Sequence, residues 1–348
     1  MVKLLLDYDA NVNARDKNHV TPVHDAVQNG DREMVELFLA NGAVLSDQPE
    51  LLFTAVAHGY KEIARLLLKQ GVDVNFRDPH GRTPLHVAVS NLRDEAHKTS
   101  SEDDLRTTSE ITDILLEHNS DINSADNRGT TPVLLCAMSG RVDPYMSLVQ
   151  KGANIRPKLN DGSTILHLTI RRRRTDINLI KILVNSGADI NCLDLHGDTP
   201  LHTAVRYRNM EAARLLIERK ANVNAKSING STPLHLTAYH AFTGMEDICR
   251  LLVERGADVN ARRNRGDTAL HIAAKKGFLD VVDLLCSSGA DTDTPNRRGD
   301  TALHLASQER RKAVVRSLIA HDSDVNLKNN TNKTPFKPVL VYDLRLRF

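Results

Sequence analysis

Histidine is the residue type of this sequence best suited to metal binding or to proton transfer near neutral pH, and the chain contains fifteen of them. Seven stand at the fourth position of a segment that reads Thr-Pro-Leu-His or a close variant. They are His24, His86, His167, His202, His235, His271 and His304. An active site is usually a single constellation on a scaffold, whereas a residue that returns once per period meets a structural requirement. We therefore interpret the seven histidines as structural.

The other residues capable of chemistry show no catalytic or metal-binding pattern. The sequence contains no nucleophile elbow, no phosphate-binding glycine loop and no HExxH motif. The four cysteines, Cys136, Cys192, Cys249 and Cys286, are 56, 57 and 37 residues apart, so no pair has the spacing of metal ligands. We interpret them as reduced thiols. The sequence thus predicts a chain that is not an enzyme, with no catalytic residues, no metal and no cofactor.

The elements that hold these residues repeat along the chain. The spacing between successive segments is most often 33 residues, which indicates a repeat array and one elongated solenoid rather than several globular domains. One copy, at Glu50, is degenerate. The segments begin at Thr21, Glu50, Thr83, Thr131, Thr164, Thr199, Thr232, Thr268, Thr301 and Thr334.

Residues 264–296 show what one unit contains. Thr268 is a good N-cap, and the apolar residues that follow it predict a short helix. Gly277 allows a turn, and apolar residues over 281–285 predict a second helix that ends before Gly289. The chain is 41% hydrophobic but only 4% aromatic, so we expect these helices to bury Leu, Ile, Val and Ala. A single hairpin cannot bury both helices, and its stability must come from stacked neighbours.

A 33-residue unit with Thr-Pro-Leu-His, a glycine between two helices and the segment Gly-Ala-Asp-Val-Asn, found at 256–260, resembles the ankyrin repeat. The resemblance covers essentially the whole chain. It implies an all-α repeat solenoid, an ankyrin-repeat array of α-α hairpins joined by β-hairpin fingers. It also implies that first helices and fingers line a concave groove, and that the recurring histidine forms hydrogen bonds between neighbouring units.

On this pattern residues 1–20 form a partial repeat with a second helix and a finger, residues 21–333 form nine repeats, and residues 334–348 form an incomplete terminal repeat. An inter-helix insertion near 91–109 is polar, and it is either a phosphorylated regulatory loop or a tolerated, mobile insertion. Both ends interrupt a repeat. We therefore expect a fragment of a longer protein.

Some units depart from the pattern. The second finger is four residues short, since Gly42 and Glu50 are 8 residues apart whereas the equivalent Gly71 and Thr83 are 12 apart. Ser120, Lys220 and Asp322 stand where glycine is preferred, each at a cost of about 1 kcal/mol in a left-handed conformation.

Binding residues are expected at positions that the repeat does not dictate. The positions four and five residues after each histidine should face the groove, and several finger tips are also basic. Together they form a basic stripe with interleaved tyrosines, suited to an acidic peptide or an acidic protein face. The alternative is that these cations only solvate an exposed surface. The stripe comprises Arg171, Arg172, Arg206, Tyr207, Tyr239, His240, Arg263, Arg265, Lys275, Lys276, Arg297 and Arg298.

The charge distribution favours an acidic partner, although much of it is also explained by ordinary solvated surface. The net charge is +2, yet residues 261–348 hold 16 Lys and Arg against 10 Asp and Glu. Nucleic acid is a weaker candidate, because the unit has no element shaped for a DNA groove. The sequence predicts a monomeric, non-enzymatic scaffold that binds an acidic protein. A second hypothesis is the targeting arm of a larger protein, such as a ubiquitin-ligase adaptor, a membrane channel or a toxin, whose active module lies outside this chain.

Two further expectations concern location and modification. Without a signal peptide or an apolar run long enough to cross a bilayer, the sequence predicts a cytoplasmic protein with no membrane insertion. The run from Arg171 to Arg174 resembles a nuclear-localisation signal and keeps the nucleus open as an alternative. Asn260 follows Asp258-Val259, a pattern resembling ankyrin substrates of the cytosolic asparaginyl hydroxylase. Its other role would be to stabilise the turn.

Overall fold

The computed structural model describes residues 1–90, 102–140, 142–172, 176–240 and 245–335. Within these ranges the regular structure is entirely helical, with nineteen α-helices and no strand. The chain divides into two compact units, Met1–Asn160 and Asp161–Phe348.

In the first unit, helices pair into hairpins, and the first helix of each hairpin packs on the first helix of the next. Second helices α3, α5 and α7 form a parallel row. The helices are α1 Val2–Asp7, α2 Pro22–Gln28, α3 Arg32–Ala40, α4 Glu50–Ala57, α5 Lys61–Lys69, α6 Pro84–Ser90, α7 Glu102–Glu117, α8 Pro132–Ser139 and α9 Val142–Gln150.

The second unit follows the same plan over five hairpins, in which each helix packs on its hairpin partner and on the equivalent helix of the adjacent hairpin. The helices are α10 Ile165–Ile170, α11 Ile177–Asn185, α12 Pro200–Arg206, α13 Met210–Glu218, α14 Pro233–Tyr239, α15 Met245–Glu254, α16 Ala269–Lys276, α17 Leu279–Ser287, α18 Ala302–Gln308 and α19 Lys312–Ala320.

The threonine of the repeated segment begins the first helix, as the sequence predicts. Thr199 is the N-cap of α12, its hydroxyl accepts a hydrogen bond from the backbone N–H of His202, and Pro200 follows at N1. Proline costs nothing at N1, because the first N–H of a helix has no intrahelical partner. After the second helix the chain turns through a left-handed residue such as Gly256, at φ 83°.

The recurring histidine joins neighbouring repeats, as the family resemblance implies. Nδ1 of His202 accepts the backbone N–H of Thr199 at 3.2 Å, so the ring hydrogen is on Nε2, which donates to the carbonyl oxygen of Ser231 at 3.0 Å. Both contacts are satisfied only by a neutral ring. The same bridge is made by His86, His167, His235, His271 and His304.

His24 is the exception, and the short second finger accounts for it. The hydroxyl of Thr21 donates to Gln48 Oε1 at 2.6 Å, whereas Nδ1 of His24 is buried and has no hydrogen-bond partner among the described residues. Gln48 immediately precedes Pro49, the N-cap of α4. The shortened finger therefore places a glutamine side chain at the contact that other repeats make through histidine.

The core consists mainly of Leu, Ile, Val and Ala, as composition predicts. All four cysteines are free thiols: Cys136, Cys192 and Cys249 are buried and Cys286 is half-buried. Burial raises the pKa of Cys249 to about 11, which keeps this thiol protonated and unreactive.

The structure corrects one expected left-handed position, and two expected segments lie partly outside the described residues. In the first unit the left-handed residue after α7 is Asn119, at φ 64°, and not Ser120. Lys220 and Asp322 do adopt that conformation, at 65° and 63°. Of the insertion expected near 91–109, residues 91–101 lie outside the described residues, whereas 102–109 belong to α7. Most of the expected terminal repeat, from residue 336 onward, also lies outside them.

Candidate protein-binding surface

The C-terminal ends of the first helices carry the basic and aromatic residues. Arg206 is the last residue of α12 and Tyr207 its C-cap, and Tyr239 and His240 stand at the same points of α14. The preceding residues of both helices are buried, so Arg206 and Tyr239 are the first exposed residues of α12 and α14. Cations at a helix C-terminus also interact favourably with the helix dipole.

The fingers of the second unit are joined tip to tip by backbone hydrogen bonds. The N–H of Leu195 donates to the carbonyl of Asp161 at 3.0 Å, and that of Ile228 to His196 at 2.9 Å. Within one finger, the carboxylate of Asp194 accepts the N–H groups of His196 and Asp198. Each tip is thus a hydrogen-bonded turn whose position is fixed by its neighbour.

A cavity of about 570 Å³ lies between the helix ends and the fingers of this unit. Its size is in the range of ligand-binding pockets. Arg171, Arg206 and Tyr207, all predicted binding residues, meet in it. The lining residues are Asp161, Arg171, Asp194, His196, Asp198, Thr203, Arg206, Tyr207, Ser227, Ile228 and Asn229.

The arginines in this cavity are paired with aspartates that sequence reasoning did not select. Arg206 contacts Asp198 at 2.6 Å, and Arg171 contacts Asp161 at 3.3 Å and Asp194 at 3.4 Å. Much of the positive charge here is therefore neutralised within the protein. One signal was available in the sequence: an aspartate directly precedes the cap threonine in three repeats, at Asp198, Asp267 and Asp300. Arg172, the residue after Arg171, is half-buried.

Arg263 is neutralised in the same way. It contacts Asp267 at 2.6 Å. Burial would raise the pKa of Asp267, but hydrogen bonds from Arg263 and Asn296 outweigh it, so the pKa is lowered and the carboxylate stays charged.

Five predicted cations remain exposed and form no ion pair with any described residue: Arg265, Lys275, Lys276, Arg297 and Arg298. They lie on α16 and on two adjacent finger tips, where the N–H of Arg297 donates to the carbonyl of Arg265. The ammonium of Lys276 lies 4.5 Å from the ring centroid of Tyr239, a cation–π contact. We call these five residues the free-cation patch.

His240 lies close to both the paired Arg206 and Lys276 of the free-cation patch, since both charges affect its pKa. Burial lowers its pKa, and the positive charges of Arg206, Arg208 and Lys276 lower it further. Its ring packs edge-on against Tyr239, with centroids 4.9 Å apart. The structure thus brings residues of α12, α14 and α16 into one electrostatic environment.

Asn260 is exposed, but its side-chain amide bridges two fingers. Nδ2 donates to the carbonyl of Gly289 at 3.2 Å, and Oδ1 accepts the N–H of Asp291 at 2.8 Å. These contacts explain a structural role for Asn260, and its hydroxylation stays a prediction.

In the described part of the chain, no group of His, Cys, Asp and Glu side chains is arranged to hold a metal ion. None of the helices placed there combines the length and the apolar character required to span a bilayer.

Comparison with known families gives matches along most of the sequence. A model of three-copy ankyrin repeats matches residues 44–99, 105–192, 172–263 and 241–329. A many-copy ankyrin model matches residues 1–39, and a single-repeat model matches 80–127.

Similar proteins are much longer than the aligned segments. A transient receptor potential cation channel subfamily A member 1 homolog of Caenorhabditis elegans is 34% identical over 92 residues, which are 26% of this chain and 8% of that protein. An ankyrin repeat protein of fowlpox virus is 28% identical over 144 residues, 41% of this chain and 18% of its own length. The human neurogenic locus notch homolog protein 2 is 30% identical over 179 residues, 41% of this chain and 7% of its own length.

Proposed function

Because the chain belongs to the ankyrin repeat family, whose members generally mediate protein–protein interactions, we propose that it is a non-enzymatic scaffold that binds an acidic segment of a partner protein. The free-cation patch is the observation that carries this proposal. Arg171, Arg206 and Arg263 already contact aspartates, whereas the five residues of the patch are exposed and form no ion pair with the residues that the structure describes.

The patch is also preorganised. Its lysines end a helix, and its arginines stand on fingers joined by the Arg297–Arg265 backbone hydrogen bond of 3.1 Å. A surface fixed before binding loses little conformational entropy when the partner docks. Charge complementarity with glutamate or aspartate side chains would then supply both attraction and orientation.

The experiment measures binding of a fluorescent oligoglutamate peptide to the full chain by anisotropy. Replacing Lys275, Lys276, Arg297 and Arg298 by Ala should weaken binding at least about tenfold, a loss of about 1.4 kcal/mol. The helical circular dichroism signal should not change.

A matched control removes the same charge from second helices instead. Lys181, Arg219, Arg250 and Arg316 are exposed on or directly after α11, α13, α15 and α19, and none of them forms an ion pair with a described residue. Replacing these four by Ala should leave peptide binding within about twofold of wild type. An equal loss in both variants would show that only the overall charge matters and would refute the binding surface.

A second candidate function is the substrate-recognition arm of a larger protein, such as a ubiquitin-ligase adaptor, a membrane channel or a toxin. The observation that favours it is that the matched regions are only 7 to 18% of the relatives' lengths, and one relative is named as a cation channel. Sequencing the transcript in both directions tests it. An open reading frame that adds only further repeats would contradict it.

We further propose that the chain acts as a monomer in the cytoplasm, with the nucleus as the alternative. The basic run that suggests the nucleus is only half described, since Arg173 and Arg174 lie outside the described residues. Light scattering of the purified chain and imaging of a tagged copy test the two statements.

A further inference from the structure

Two neighbouring fingers carry apolar residues at a tip position where other fingers carry polar ones. At this position the backbone N–H donates to the preceding finger, and Asn264 and Asn330 also donate through their side chains, Asn264 to Ile228 at 2.9 Å. Leu195 and Ile228 cannot make that contact. Their side chains are instead 65% and 71% exposed.

One apolar tip, Ile228, lines the cavity described above, and the other, Leu195, lies in the chain between two lining residues, Asp194 and His196. Ile228 lines it together with Tyr207, which is 51% exposed. The backbone bond between Ile228 and His196 holds the two fingers together, and Gly197 leaves room for the isoleucine, since a Cβ at Gly197 would lie 3.3 Å from Ile228 Cγ1. Exposed apolar groups beside a pocket are typical of binding sites.

The charges in the cavity suit an uncharged group. Its two arginines are paired with three aspartates, and the side chains of Asp194 and Asp198 are only 2% and 7% exposed. An acidic side chain would gain no net attraction from them. The guanidinium of Arg171 lies 5.9 Å from the Tyr207 ring centroid and helps to hold that ring at the rim.

We infer that this cavity is an anchor pocket for one large apolar or aromatic side chain of the acidic partner segment, which packs against Tyr207, Ile228 and Leu195. The inference rests on the proposed function, because the anchor side chain belongs to the same acidic segment that binds the free-cation patch. Buried aromatic and aliphatic anchors usually dominate the energy of such interfaces.

Helix packing sets the distance between the anchor and the acidic residues. Helices α12, α14 and α16 pack in consecutive contact, and α12 borders the cavity whereas α16 carries Lys275 and Lys276. Two interhelical steps of about 10 Å each span about 20 Å. An extended chain covers that distance in about six residues. The partner segment should therefore carry its apolar anchor about six residues from its acidic cluster.

The test uses synthetic fluorescent peptides in which a glutamate cluster is joined by a Ser/Gly linker of about six residues to Phe, Leu or Ala, in both chain directions. With the wild-type full chain, one direction should bind about tenfold more tightly with Phe or Leu than with Ala. In the variant Leu195→Asn/Ile228→Asn that advantage should fall below about twofold, while the Ala peptide binds as before. Asparagine occupies this position in other fingers, so the variant should fold.

The control is Ile319→Gln, which removes an apolar residue, 41% exposed on α19, away from the cavity. It should retain the full preference for Phe or Leu. Equal binding of the Phe, Leu and Ala peptides to the wild type, or an equal loss of preference in the control, would overturn the anchor pocket and leave the proposed function intact. If no glutamate peptide binds, the proposed function is wrong and the anchor pocket falls with it.

Discussion

At the residue scale, the recurring histidines couple hydrogen bonding to protonation. Every recurring ring except His24 bridges its own N-cap threonine and a carbonyl of the next repeat, as His235 does between Thr232 and Asp267. Burial lowers the pKa of five of these rings, and that of His235 falls to about 4; the five are His86, His167, His202, His235 and His271. A histidine whose pKa is lower in the folded state contributes stability that is fully present above its unfolded pKa, near 6.5. This stability is lost as the pH falls from the unfolded pKa through the lower, folded pKa.

The first prediction follows from His235. Between pH 6.5 and about 4 its protonation should reduce the free energy of unfolding by roughly 3 kcal/mol. In the variant His235→Gln, which cannot titrate, this decrease should be smaller, although the variant should be less stable at pH 7. Urea unfolding at several pH values measures both. Carboxylates with lowered pKa, such as Asp267, act in a separate window below pH 3.8. Parallel pH profiles for the two proteins would contradict the assignment.

The second prediction uses His240 as a reporter of the stripe. Since the charge of Lys276 contributes to the lowered pKa of His240, the variant Lys276→Gln should raise that pKa towards its usual value. Binding of an oligoglutamate peptide should shift it in the same direction. Titration of the His240 ring by NMR detects both effects. Lys181→Gln, on the second helix α11, is the control and should not change it.

The sequence predicted the structural role of the histidines, because a residue type that returns at the same position of each repeat meets a requirement of the repeat itself. It did not predict which arginines are neutralised. Arg206 and Asp198 are eight residues apart, one at a helix end and one in a finger, and Arg171 contacts an aspartate 23 residues away. Such pairs depend on how finger and helix meet in space, which periodicity alone does not give.

At the element scale, the fingers depend on glycines for two separate reasons. Gly266 and Gly289 are both left-handed, at φ 80° and 85°. A Cβ at Gly266 would lie 2.8 Å from the backbone nitrogen of Arg297, whereas no atom in the described part of the chain lies within 4 Å of a Cβ at Gly289. Gly266 therefore also permits close contact between fingers, and Gly289 permits only the turn.

The third prediction compares alanine at these two sites. Gly289→Ala should cost about 1 kcal/mol, the strain of a left-handed alanine. Gly266→Ala should cost a further ~2 kcal/mol, because the methyl group overlaps the next finger. Since Arg297 belongs to the free-cation patch, only Gly266→Ala should also weaken oligoglutamate binding. Thermal unfolding and peptide anisotropy test the pair, and equal costs would show that the fingers are not in close contact.

The sequence predicted helices better than the boundaries between them. Thr, Pro and Gly mark helix ends by local geometry, so the starts at Pro200 and Pro233 follow from residue type. After the insertion near 91–109, the sequence predicts the left-handed position following α7 one residue too late. It predicts Ser120, and the structure has Asn119. The sequence also did not predict the apolar fingertips Leu195 and Ile228. Their position is defined by a backbone N–H that donates to the preceding finger, and the polar residues at the same position of other fingers can be compared with them only when these hydrogen bonds are known.

At the scale of the whole molecule, the extensive helix–helix contacts in the described part of the chain join hairpin partners or equivalent helices of adjacent hairpins. The boundary between the two units, at Asn160, falls inside an ordinary 33-residue spacing, between Thr131 and Thr164, so the sequence period does not mark it. Stability in such an array is approximately a sum over repeats and their nearest neighbours. A local defect should therefore have a local effect.

The fourth prediction tests this with one core substitution in each unit. Leu67 on α5 and Leu216 on α13 are fully buried, and alanine at either site should cost about 2–5 kcal/mol. Hydrogen exchange read by mass spectrometry should show loss of protection in the hairpins next to the substitution, largely confined to its own unit. Ile319→Ala, on the exposed side of α19, should change little. Equal loss over both units after either core substitution would mean that the chain unfolds as one cooperative body, and that a defect far from the free-cation patch could disable binding as effectively as one within it.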